Sequence, residues 1–260
     1  MPTLEYLRNA YPIDYYAYSQ AIPLSTGPRI IKRLKRVVRN LPCFHQVTHD
    51  PKFETPGTML DIGCGTGTFL AAMQEKGWKV HGMELDAQAA ERGRQAGIDI
   101  FGGTIDEVKY PSAVFDYVRS NHSFEHIHNP REVLREIHRI VKPTGRLFIG
   151  LPNVAGLMAR LYGAYWWCLC APVHVFGYSP VTLRRLLAEE GFEVERVIYN
   201  SNYTGVFGSI QLYLNRNNGK MGEDGWITHS KILMLIGYCV ARITDSMRMG
   251  DWIEIIARPV

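Results

Sequence analysis

The chain has 260 residues, 46% hydrophobic and 21% charged, with a formal net charge of +4. That length suits one large core, the balance is that of an ordinary globular protein, and the small charge by itself selects no partner. Five cysteines, odd in number and without a C-x-x-C pair, fit a reduced, intracellular (cytoplasmic) setting better than a disulfide framework.

The first 27 residues are aromatic and broken by prolines, with Tyr15 among five tyrosines, and read as loop and short helix lying on the main domain. They show neither the basic region nor the apolar region of a leader. Arg29 to Asn40 predicts an amphipathic helix: Ile30, Ile31, Leu34, Val37, Val38 and Leu41 recur at helical spacing, and six basic residues fill the other face. Two readings compete for it. It packs on the sheet edge with a solvated basic face, or it touches an anionic surface, membrane or nucleic acid. Prolines at 42, 51 and 56 mark residues 42–57 as a linker.

Thr58 to Leu70 is the centre of the chain's organisation. An apolar, β-prone run ends in Asp61, glycines follow at 63, 65 and 67, and a helix-compatible run begins at Phe69. A strand entering a glycine turn and then a helix brings bare backbone N–H groups and a positive helix end against a ligand. The third glycine comes one residue too early for the dinucleotide pattern G-x-G-x-x-G, and no Gly-Lys-Ser/Thr follows, which excludes a Walker loop. The phrase Asp61-Ile62-Gly63-Cys64-Gly65-Thr66-Gly67 resembles, completely, the acid-x-Gly-x-Gly-x-Gly motif of class I S-adenosylmethionine-dependent methyltransferases. That donor carries an ammonium and no pyrophosphate, so an acid near the loop suits it.

Trp78 to Glu84 predicts the second strand. Glu84 stands seventeen residues beyond Gly67 at its end, where an acid of a nucleoside-binding βαβ unit accepts hydrogen bonds from ribose hydroxyls. A helix over 87–96, closed by Gly97, leads to a third strand over 98–101. The resemblance places the adenine near Thr104 and Ile105, with contacts resting on the backbone around Ile105, and Asp106 reads as a helix N-terminal acid. The fourth strand spans 114–119. The loop after it, His122-Ser-Phe-Glu125-His126-Ile-His128-Asn-Pro130, resembles the H-x-x-E-H-x-x-[DN]-P signature of methyltransferases related to the ubiquinone-biosynthesis O-methyltransferases. Only Glu125 offers a hard oxygen there, so no metal is expected. Glu125 and His126 hold the loop, with His126 near the methyl-transfer axis.

A helix over 131–141 and a Pro143-Thr-Gly145 turn precede a fifth strand over 146–151. Residues 153–178 are dense in aromatics, and the resemblance makes this insertion a lid over the acceptor. His174, in a P-x-H-x-x-x-[FY]-S phrase, reads as a general base or as a packing histidine. A helix over 180–190 and a sixth strand over 192–199 follow. The insertion 204–249 contains a short segment through Gln211, a polar loop over 215–225, and a helix with Ile232, Leu235, Ile236, Cys239, Val240, Ile243 and Met247 along one side. Its apolar run, 232–241, is about half of what a membrane span needs. Residues 251–257 form the closing strand.

These readings predict a doubly wound, mostly parallel seven-stranded α/β sheet with a helical lid, the resemblance making the last strand antiparallel. One domain is expected over 1–260, comprising an N-terminal cap (1–57), a cofactor-binding half (58–152) and an acceptor-side half (153–260). The resemblance implies S-adenosylmethionine as cofactor, held by Asp61, Gly63, Cys64, Gly65, Gly67, Glu84, Leu85, Thr104, Ile105, Asn121 and His122. His126 and His174 are the candidate catalytic residues, and Tyr15, Trp166 and Tyr178 the candidate acceptor contacts. The expected reaction is methyl transfer to a hydroxyl of a small-molecule or lipid- or sugar-linked acceptor, with nitrogen or carbon acceptors and a nucleic-acid substrate as rivals. No nucleic-acid partner is expected. The apolar helix of the second insertion is read as covering the sheet, pairing with a second subunit, or resting on a membrane surface.

Overall fold

A computed structural model of the chain describes residues 53, 55–216, 227 and 230–260. Tyr15, the basic helix over 29–39, most of the linker and most of the polar loop over 215–225 lie outside the described residues.

The chain alternates strand and helix: β1 (Thr58–Ile62), α1 (Thr68–Gln74), β2 (Lys79–Glu84), α2 (Ala87–Gln95), β3 (Ile100–Gly102), α3 (Ile105–Val108), β4 (Phe115–Asn121), α4 (Pro130–Ile140) and β5 (Val141–Pro152). The acceptor side continues with α5 (Leu157–Tyr162), two 3-10 turns (Gly163–Tyr165 and Trp167–Leu169), α6 (Pro180–Glu189), β6 (Phe192–Tyr199), α7 (Tyr203–Asn215), α8 (Lys231–Ser246) and β7 (Trp252–Pro259). The seven strands form one sheet in the order β3-β2-β1-β4-β5-β7-β6. The first five are mutually parallel, and β7 runs antiparallel to both β5 and β6. The predicted sheet and the direction of its last strand are therefore those observed.

Both faces are covered, which is why β1, β4 and β5 read as nearly continuous apolar runs. One core packs Leu60, Val118, Leu147, Ile149 and Ile255 against α4 and α6. The other packs Met59, Val80, Tyr117 and Phe148 against α1 and α2. A third, smaller cluster joins Met158, Trp166, Cys168 and Val206 and ties the two insertions together. β1 and β4 are neighbours although the chain leaves β1 in the direction of β2. The strand order reverses between them, and ligands bind sheets of this type at that crevice.

Three of the differences from expectation stand out. β5 begins at Val141, because Val141 pairs with Phe115 before the register shifts and resumes at Tyr117↔Arg146, so the Pro143-Thr-Gly145 segment lies within the strand. β3 is displaced to 100–102. The short segment through Gln211 is a thirteen-residue helix whose start is capped by Asn202, with its side chain accepting from Thr204 N–H.

Candidate active site

The β1–α1 turn explains its glycines one by one. Gly63, Gly65 and Gly67 all have positive φ (74°, 57° and 75°), so every second residue sits where a Cβ is disfavoured. Gly63 also has no room: a Cβ there would lie 2.4 Å from Ser123 Cβ. The turn is anchored by Gly63 N–H and Cys64 N–H, both donating to Met83 O (2.8 and 3.0 Å). Glu84 supports it from the end of β2. One carboxylate oxygen accepts from Gly65 N–H (2.8 Å), the other from Asp86 N–H (2.9 Å). Burial raises the Glu84 carboxyl above its ordinary range, partly offset by those two backbone donors. Each oxygen keeps lone-pair capacity for a further donor such as a ribose hydroxyl.

Below the turn lies an ion pair. Asp61, 1% exposed, accepts from Arg119 Nη1 (3.2 and 3.1 Å). Arg119 is its register partner on β4, with its guanidinium 4.0 Å from the Phe69 ring centroid. Asp61 thus neutralises a buried cation under the start of α1. Arg119 was not singled out from the sequence. An arginine in a buried strand is the available signal, but its partner depends on sheet register.

The β4 end turns sharply. His122 has φ 53°, strained for a residue with a bulky side chain, and its N–H donates to Gly150 O (2.8 Å). The Asn121 side chain lies over Gly150, where a Cβ would meet its Oδ1 at 2.3 Å. Ser123 Oγ donates to Ile62 O (2.6 Å) and lies 2.7 Å from Ser120 Oγ, clasping this loop to β1 beneath Gly63. Ser123 also escaped the sequence reading.

Beyond Ser123 a cluster of imidazoles surrounds one carboxylate. Glu125 is 2% exposed, with His122 Nδ1 and His174 Nε2 each 3.8 Å from Oε1. Its Oε2 is buried without a hydrogen-bond partner. The His126 and His174 rings meet edge to face at 4.8 Å. His126 Nδ1 lies 3.0 Å from Val173 O, and His174 Nδ1 lies 2.9 Å from Cys168 O. A carbonyl can only accept, so each Nδ1 carries the proton and each lone pair is on Nε2. The Glu125 carbonyl accepts from Val175 and Phe176 N–H, pinning the lid to the β4 loop. Burial pushes the Glu125 carboxyl up, but neighbouring His122, with His126 and His174, outweighs it and the net shift is downward. Burial drives His174 down to about 4, against the pull of Glu125, so it is neutral near pH 7.

Burial and the Glu125 charge both raise the Tyr178 phenol, and its OH is buried without a partner. Glu125, His126 and His174 can also bring ligand atoms within 4.8 Å of one another, a set that could hold a metal ion. The fold adds His174 to a loop that in sequence offered one hard oxygen.

The other expected site residues fall as follows. Leu85 is exposed and Cys64 half-buried beside the turn. Thr104 caps α3, its N–H donating to Glu107 Oε2 (2.7 Å), and the Ile105 side chain is in the core, leaving only its backbone to face a ligand. Asp106 lies in the first turn of α3, as expected. Trp166 is 3% exposed and packed into the satellite core with Met158, Cys168 and Val206. That packing joins the two insertions around it. Tyr178 is buried as well, leaving its OH as the only part with a chemical task outstanding. Trp252, whose ring lies 4.8 Å from that of His122, adds an aromatic wall that sequence placed only in a closing strand.

A doubly wound sheet with three left-handed glycines and a strand-end acid at its reversal point is the architecture of class I S-adenosylmethionine-dependent methyltransferases. The family described as a methyltransferase domain matches residues 31–197, and the chain belongs to it. It is 27% identical over 177 residues to malonyl-[acyl-carrier protein] O-methyltransferase of Serratia marcescens, covering 64% of this chain and 69% of that one. It is 31% identical over 103 residues to the ubiquinone biosynthesis O-methyltransferase of Pseudomonas paraeruginosa, covering 37% of this chain and 44% of that one, so the match spans less than half of that relative. Among solved structures, phosphoethanolamine N-methyltransferase 2 of Haemonchus contortus, in complex with S-adenosyl-L-methionine, shares the fold. Its TM-score is 0.54 at 18% identity, covering 94% of this chain and 56% of that one. The protein is an S-adenosylmethionine-dependent methyltransferase.

Proposed function

We propose that the protein transfers the methyl group to a hydroxyl oxygen of a small-molecule or carrier-linked acceptor bound between the β4 loop and the lid. The observation that carries this reading is the buried cluster of Glu125, His126 and His174, joined to the donor turn through Ser123. The donor's sulfonium is already activated, so in-line alignment in a site closed to water is the main requirement. A hydroxyl attacks best as its proton leaves, and a neutral imidazole can take it. Burial holds His174 near 4, which makes it a weak base. We assign proton acceptance to His126 Nε2, with Glu125 stabilising the imidazolium that forms. His174 packs against the His126 ring as its neutral neighbour. Donor binding rests on the glycine turn, Glu84, the α3 start at Thr104 and Ile105, and the Asn121–His122 backbone. Tyr15 remains a candidate acceptor contact.

The test is an acceptor screen with labelled S-adenosylmethionine. His126→Ala is expected to lower turnover by about 10²–10⁴ while S-adenosylhomocysteine affinity stays within a few-fold. His174→Ala should lower it less. Unchanged turnover in His126→Ala would remove the base and leave alignment alone. Turnover on amines but not hydroxyls would move the reaction to nitrogen. A chelator is expected to leave turnover unaltered; loss restored by a divalent ion would recast Glu125, His126 and His174 as ligands.

A further inference from the structure

Exposed apolar side chains concentrate in the two insertions. Of fourteen large hydrophobic residues exposed among the described residues, ten fall within 154–169, 213–214 and 232–247, all in the two insertions. The densest set is on α8. Ile232, Leu235, Ile236, Cys239, Ile243 and Met247 are all exposed, and at 3.6 residues per turn they fall in one stripe about 120° wide along about 24 Å of helix.

The inward face of α8 is made of small residues: Gly237, Ala241 and Thr244 are buried. Gly237 admits Phe207 of α7 so closely that a Cβ would lie 2.6 Å from that ring. The large apolar residues therefore point away from the fold, the reverse of an ordinary surface helix.

Charge decides what covers the stripe. Among the described residues of the insertions, the exposed charged side chains are Arg160, Arg216 and Arg248. The one acid among those described residues, Asp245, is turned inward, accepting from Ser201 Oγ (2.6 Å) and paired with Arg242 (3.0 Å). Lys231 opens the helix and Arg248 follows its end. Two copies meeting through this stripe about a two-fold axis would lie antiparallel, setting Arg248 of one against the N-terminal end of the other's α8, with no exposed acid among the described residues of either helix to pair it. An anionic lipid surface satisfies both features, since apolar side chains enter the acyl boundary and the flanking cations meet headgroups.

We propose that α8 is a membrane-docking helix, lying in the plane of an anionic bilayer and bringing the lid, which shares its satellite core, to the lipid surface. This is independent of which acceptor atom is methylated.

The full chain would be sedimented with vesicles of phosphatidylcholine alone and mixed with phosphatidylglycerol, at low and high salt. Co-sedimentation with the mixed vesicles, weakened by salt, is expected. The double variant Ile236→Glu with Ile243→Glu, at exposed positions, should weaken partitioning by about tenfold or more. Arg248→Glu should weaken it roughly fivefold, on the scale of one basic residue near an anionic leaflet. S-adenosylhomocysteine affinity, measured by calorimetry on the same proteins, should not change. Its loss in the unmodified protein would strike the donor site and not the docking surface. Failure to bind either vesicle, or undiminished binding by the double variant, would overturn the proposal. So would a dimer in light scattering that the double variant converts to monomer, because the stripe would then belong to a second copy.

Discussion

The Asp61–Arg119 pair is the least forgiving contact under the donor turn. Removing one partner leaves an uncompensated buried charge, so Asp61→Asn is expected to lower stability by about 3–5 kcal/mol in denaturant unfolding. The double variant with Arg119→Met should recover much of that loss. Single and double variants equally impaired would mean that the two do not act as a pair. His174 governs a pH dependence. Its folded pKa, about 4, lies below the ordinary 6.5. The unfolded chain therefore binds the extra proton in that window, and stability contributed by the neutral imidazole is lost as pH falls from 6.5 towards 4. The loss is at most about 3 kcal/mol. Asp251 opposes it, because burial raises that carboxyl to about 7 and its contribution fades as pH rises. Comparing His174→Gln with the parent at pH 7 and pH 4.5 isolates the histidine, and a difference that does not shrink with acid would refute it. The glycines at 63, 65 and 67 and the acid at 84 were legible because their task is local: φ signs within one turn, and a strand end. Arg119 and Ser123 were not, because each acts on a residue about sixty positions away, and His174 was legible as a candidate while its place beside Glu125 was not.

At the scale of elements, β6 coincided with its predicted bounds, since its apolar spacing sits between Gly191 and a polar run. α7 was hidden by the opposite situation. Gly205 and Gly208 argue against a helix, yet the fold needs both. A Cβ at Gly205 would lie 2.6 Å from Asp251 Oδ2, and one at Gly208 2.6 Å from Trp167. Asp251 also lies against the start of α5, where a Cβ at Gly156 would approach its Oδ1 at 2.9 Å. One buried carboxylate thus sits at the N-terminal ends of two insertion helices, where helix dipoles favour negative charge. Gly205→Ala is expected to destabilise by about 1–2 kcal/mol despite alanine's better helix propensity, because crowding of the carboxylate outweighs it. A stabilised variant in thermal unfolding would show that Asp251 has room to move. The stripe on α8 was legible as a stripe, but its direction was not. Small residues can face inward only when a neighbour such as Phe207 comes close enough to fill the space, and that depends on packing.

At the scale of the molecule, the pairings divide the sheet unevenly. β1 to β5 lie within residues 58–152 and pair among themselves, whereas β7 lies between β5 and β6 and is antiparallel to both. A chain growing from the ribosome can therefore complete the donor half while β5 still has one open edge. β6, made some forty residues later, has no strand partner until 252–259 arrive. The acceptor side is closed by the segment synthesised after everything it joins. Until then two open edges can template pairing with other chains. A nascent chain stalled before residue 252 would be a client for chaperones, holding a formed donor pocket beside an unfinished wall.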